Sequence, residues 1–94
     1  MKKVEDHISE HTFDKNGDVD HINGLPMLCE ALGIRHISYG ECPEEKWDEV
    51  MEWSNHQSHE YFAFICQEAG IQPNDNAVLT QEIAMQLELA KHAQ

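Results

Sequence analysis

The chain has 94 residues, eighteen acidic against six basic, and a formal net charge of −12. A core of this size does not divide in two, so residues 1–94 are read as a single acidic globular domain. The charge argues against direct nucleic-acid binding, whereas the 40% hydrophobic content argues against the apolar poverty of disordered chains.

The first 23 residues are the most polar part and admit two readings. Val4, Ile8 and His11 fit one helical face, whereas Thr12-Phe13 and Asp18-Val19 flank Asp14-Lys15-Asn16-Gly17 as a β-hairpin would. The hairpin is the preferred reading, with Phe13, Val19 and Ile22 covering one side of a helical core. From Asn23 onward the punctuation is helical. Asn23 or Gly24 starts a first helix with Pro26 in its first turn, Met27, Leu28, Ala31 and Leu32 form its apolar face, and Gly33 closes it. Ile34 to Tyr39 reads as an extended connection or short strand bounded by Gly40.

Cys42-Pro43-Glu44-Glu45 predicts a second helix with the stripe Trp47, Val50 and Met51. Trp53 lies about 240° around from Trp47 and falls outside that stripe, which makes it a candidate contact residue. Ser54-Asn55-His56-Gln57 has the capping-box spacing for a third helix ending before Gly70. Its main stripe is Phe62, Ile65, Cys66 and Ala69, and Tyr61 and Phe64 broaden the apolar surface, so this helix is expected to be the most buried. A polar turn at Gln72-Pro73-Asn74-Asp75-Asn76 precedes a last helix from Ala77 or Thr80 to Lys91. Leu79, Ile83, Leu87 and Ala90 form one apolar row there, and Val78, Met85 and Leu89 a second, with Glu82 and Gln86 between. Either both rows are internal or the second is an oligomer contact. The expected architecture is a mainly α bundle of about four helices, with α+β as the alternative if the N-terminal hairpin forms.

Cys29, Cys42 and Cys66 are odd in number, without a C-x-x-C pair, which fits neither a disulfide framework nor a zinc knuckle. Buried thiols are expected for at least two of them. With no apolar run near 18 residues and no signal-peptide core after Met1-Lys2-Lys3, a cytoplasmic protein with no membrane contact is expected.

Asp14, Asn16, Asp18 and Asp20 echo a calcium loop, but Val19 stands where that loop needs glycine and Leu25 where it needs a bidentate glutamate. Asp18-Val19-Asp20-His21-Ile22-Asn23-Gly24 resembles the opening of an HNH-type nuclease motif. That resemblance implies His21 as general base, and Asn55 with His56 or His59 for the remainder, across a long intervening segment. The chain lacks the basic residues that would hold a polyanion, so catalysis is not expected. His7 with His11, and His56 with His59, make half-sites short of the ligands zinc requires. No phosphate loop or nucleophile motif is present, and no metal or cofactor is expected. A metal-dependent enzyme or sensor using His21, His56 and His59 is a lesser alternative.

From Trp47 to Ala90 there is no Lys or Arg, while Asp48, Glu49, Glu52, Glu60, Glu68, Asp75, Glu82 and Glu88 fall in that stretch. Such a field attracts a basic partner. The expected partner-binding residues are Asp48, Glu49, Glu52, Trp53, Glu60, Tyr61, Phe64 and Glu68, with carboxylates pairing to Arg or Lys and aromatics as anchors. In size and charge the chain resembles phage or mobile-element inhibitors, including anti-CRISPR and anti-restriction proteins, and nuclease immunity proteins. The resemblance implies a protein that blocks or mimics nucleic acid at a basic site, in the host cytoplasm if phage-encoded. A helical dimerisation or adaptor module is the principal alternative, with a homodimer formed through Val78, Met85 and Leu89. Protonation of all seven histidines would move the formal charge from −12 towards −5, so binding to a basic partner should weaken on acidification.

Overall fold

Four helices and one short sheet account for the chain in a computed structural model that describes residues 1–93. In order these are β1 (Lys2–Lys3), a 3-10 turn (Val4–His7), α1 (Gly24–Leu32), a second 3-10 turn (Tyr39–Glu41), α2 (Glu44–Ser54), α3 (His59–Glu68), β2 (Ile71–Gln72) and α4 (Ala77–Ala90). The fold is mainly helical, as the apolar spacing predicts.

The core is organised around α4. Its 14 residues span about 21 Å, long enough to touch two groups of buried side chains. Leu79 and Ile83 join Val4, Val19, Leu25, Leu28, Cys29, Leu32, Cys66 and Ile71 in the first group. Leu89 joins Ile37, Cys42 and Val50 in the second, with Trp47, Trp53 and Met85 packed against it. Both α2 and α3 lie on α4. The buried positions of α4, namely Leu79, Thr80, Ile83, Ala84, Gln86 and Leu89, cover about 220° of its circumference. The most buried helix is therefore α4 and not α3, which buries only Phe62 and Cys66 and leaves Ala69 exposed.

The N-terminal segment closes the first group. β1 pairs in parallel with β2, Lys2 opposite Ile71 and Lys3 opposite Gln72. Two-residue strands are too short to carry an alternating signature, so the sequence pattern does not announce them. The expected hairpin reduces to one antiparallel bridge between Phe13 and Val19, with Asp14 N–H donating to Asp18 O at 2.8 Å. Gly17 turns that loop at φ +84°, a conformation that suits glycine. At Gly24 glycine is required for a different reason: a Cβ would meet His11 O at 2.1 Å, so only a bare Cα lets α1 start against the Thr12 backbone.

Two helix starts differ from expectation. Asn23 makes no side-chain cap, and the Asp20 carboxylate, three residues earlier, accepts from Ile22 N–H and Asn23 N–H instead. Those two backbone donors hold the Asp20 carboxyl below its ordinary pKa. At α3 the cap is Ser58, whose Oγ accepts from Tyr61 N–H at 3.2 Å. Ser54 does not start a helix; it ends α2 and donates to Met51 O at 2.8 Å. Among the described residues no helix is long and apolar enough to cross a membrane.

Candidate functional site

The carboxylates of the basic-free stretch divide by helix. On α2, Asp48, Glu49 and Glu52 occupy about 100° of arc opposite the buried Val50. Glu49 reaches back to Lys46 at 3.1 Å, and Glu52 contacts His56 at 3.0 Å. On α4, Glu88 meets Lys91 at 3.0 Å and Glu82 lies 3.1 Å from His21. Lys46 and Lys91 bracket the stretch and neutralise its ends.

Asp48 is exposed and has no ion pair among the described residues, and the α3 carboxylates share that state. Glu60 and Glu68 are exposed and make no ion pair among the described residues. Glu60, Phe64 and Glu68 are spaced one turn apart along the helix, and Tyr61 lies beside them, so all four fall within about 100° of arc, opposite Phe62 and Cys66. Phe64 is 54% and Tyr61 43% exposed. Glu68 stands in the last turn of α3, where the helix dipole disfavours a negative charge, without a cation to offset it. Trp53 does not belong to this outward row. It is half-buried between α2 and α3, edge-on to Tyr61 at 6.1 Å and to Phe62 at 5.8 Å, so it supports the Tyr61 ring from behind.

The expected oligomer row also separates. Leu89 is buried and belongs to the core, because the second apolar row turns inward towards Ile37 and Val50. Met85 is half-buried, and only Val78 stays exposed, at 55%.

Glu82, Met85, Gln86 and Leu89 follow the i, i+3, i+4, i+7 spacing of one helical face, and that face lines a cleft of about 810 Å³. The start of α1, the segment 36–39 and α2 form its other walls. Gln86 is buried and accepts from Ile37 N–H at 2.6 Å, which ties that segment to α4. Tyr39 stacks on Trp47 with centroids 4.7 Å apart and planes 8° from parallel. Burial pulls the pKa of His36, on the same wall, below the ordinary histidine value.

No family model matches this chain, and searches of curated proteins and of solved structures find no match. Its chemistry is therefore read from its own side chains. Burial pushes the Cys66 thiol up to about 11, and burial with the nearby Glu82 charge pushes Cys29 up to about 12, so neither supplies a thiolate at neutral pH. Among the described residues no group of three or more His, Cys, Asp or Glu side chains is gathered to hold a metal ion. The cleft was not anticipated from the sequence. Its signal was the pair Glu82 and Gln86 set between two apolar rows: a carboxylate and an amide on a core-facing stripe mark a place where the core opens.

Proposed function

We propose that this protein is a small acidic inhibitor that docks on the basic, nucleic-acid-binding surface of a partner protein, in the manner of anti-CRISPR, anti-restriction or nuclease-immunity proteins. The supporting observation is the outward row of α3, where two carboxylates without cationic partners flank two exposed aromatic rings. In this reading Glu60 and Glu68 pair with Arg or Lys of the partner, displacing the phosphates that those residues otherwise hold. Phe64 and Tyr61 supply the desolvated contacts that carry most of the affinity. Asp48, Glu49 and Glu52 on α2 add to the field that steers association, while Trp53 keeps Tyr61 in place. The protein acts by occupancy, without chemistry of its own.

Affinity capture from the native host lysate tests this reading. A nuclease or other DNA-binding complex should be retained at low salt, be released near 1 M salt, where the screening length is about 3 Å, and be competed by DNA. Reversing Glu60→Lys together with Glu68→Lys should abolish capture while the circular dichroism spectrum stays helical. Absence of any basic partner at low salt, or capture indifferent to the double reversal, would sink it.

A further inference from the structure

The cleft has a chemistry of its own, separate from the α3 row. Leu25, Ile37 and Leu89 form a buried apolar floor, and Met51 and Met85 supply flexible, polarizable walls. Its volume of about 810 Å³ lies within the range of small-molecule sites, roughly 300–1,000 Å³. The charge in its lining is one-sided: among the described residues that line it there is no Lys or Arg, and Glu82 is the one carboxylate. His21 Nε2 lies 3.1 Å from Glu82 Oε2, one contact for a carboxylate that has two acceptor oxygens. The carboxylate thus retains an acceptor site at the edge of an apolar floor. The stacked Tyr39 and Trp47 rings complete the wall, and an aromatic face attracts a cation within about 6 Å of its centroid.

We propose that this cleft binds a small organic cation, a primary amine carried on an aromatic or other bulky apolar body. The ammonium pairs with Glu82, and the body lies on Leu25 and Leu89 between Met51 and Met85. An anion is disfavoured by Glu82 and by the net charge of −12, which lowers the local concentration of anions and raises that of cations. A neutral compound gains the same burial, and an alcohol can still donate to the carboxylate, but neither has the attraction between opposite charges. The proposal is independent of whether α3 engages a partner.

The test uses three naphthalene probes that differ in the head group, 1-naphthylmethylamine, 1-naphthylmethanol and 1-naphthoate, titrated by calorimetry and by amide chemical-shift mapping of the full chain. The amine should bind about ten-fold more tightly than the alcohol, the gain expected of pairing a cation rather than a neutral donor with the carboxylate, and naphthoate should not compete. The largest shifts should fall on Met51, Glu82 and Met85. Glu82→Gln should remove the amine's advantage over the alcohol, while His21→Ala should preserve it. Glu10→Gln, at an exposed carboxylate outside the cleft, should leave the amine's affinity unchanged. Equal binding of amine and alcohol, an amine preference that survives Glu82→Gln, shifts confined to α3, or no binding by a folded protein would each overturn the proposal.

Discussion

Along α4, Leu79, Thr80, Ile83, Ala84, Gln86 and Leu89 are buried, whereas α3, with Tyr61, Ala63, Phe64 and Ile65 besides its buried pair, buries only Phe62 and Cys66. Both helices look broadly apolar when plotted around their axes, but neighbours decide what is covered. α4 is flanked by α2 and α3 and reaches both core groups; α3 packs on α4 and presents its opposite side to solvent. Apolar breadth on α4 therefore fills the interior, and on α3 it leaves Tyr61 and Phe64 beside unpaired carboxylates. The contrast teaches that a wide apolar arc specifies burial only when two partners are available to cover it.

The largest expected effect lies on α4. Ile83→Ala removes a side chain that is fully buried at the centre of the first core group, and it should cost about 2–5 kcal/mol through lost transfer free energy and the cavity left behind. Against a total of roughly 5–15 kcal/mol for a small domain, that is a loss visible as a large drop in the urea midpoint. A change below about 0.5 kcal/mol, the size usual for surface positions, would mean that α4 is not the central helix.

How much could be read beforehand follows from the range of each signal. The helices at Gly24, Glu44 and Ala77 were legible because proline, glycine and apolar spacing act within one helix. The pairing of Lys2–Lys3 with Ile71–Gln72 was not, since its partners lie far apart in sequence and each strand is two residues long. The outward residues of α3 were legible as types, but the unpaired state of Glu60 and Glu68 depends on where Lys46 and Lys91 point. Trp53 lies off the stripe of its own helix, as the spacing predicts, but its packing against α3 depends on where that helix is placed. The cleft required α1, α2 and α4 to be placed together, and no local pattern does that.

An intermediate effect separates the two serines at the α2–α3 turn. Ser58→Ala deletes the side-chain cap on Tyr61 N–H, which then keeps only the Ser58 carbonyl at 3.1 Å, and should cost about 1 kcal/mol, the usual loss when a serine cap is truncated to alanine. In a domain of this length that is a fall of about 4–8 °C in melting temperature. Ser54→Ala should cost less, because the Met51 carbonyl it serves also accepts from Asn55 N–H at 3.2 Å. The reverse order of melting temperatures would return the cap to Ser54 and lengthen α3 by a turn.

The smallest effect on stability is expected where the effect on binding is greatest. Phe64 is more than half exposed and opposite the buried face of α3, so Phe64→Ser should change unfolding free energy by no more than about 0.5 kcal/mol. Under the proposed function the same change removes a central anchor, and truncating such a residue typically costs 2 kcal/mol or more, about a 30-fold loss of affinity. The comparison with Ile83→Ala is then complete, because one helix loses stability through its apolar residues and the other loses recognition. Urea unfolding and partner titration of the same purified variant distinguish the two. If Phe64→Ser unfolds the protein, the ring is part of the core; if it leaves both measurements unchanged, the aromatic residues of α3 are idle and only its carboxylates remain as candidates for recognition.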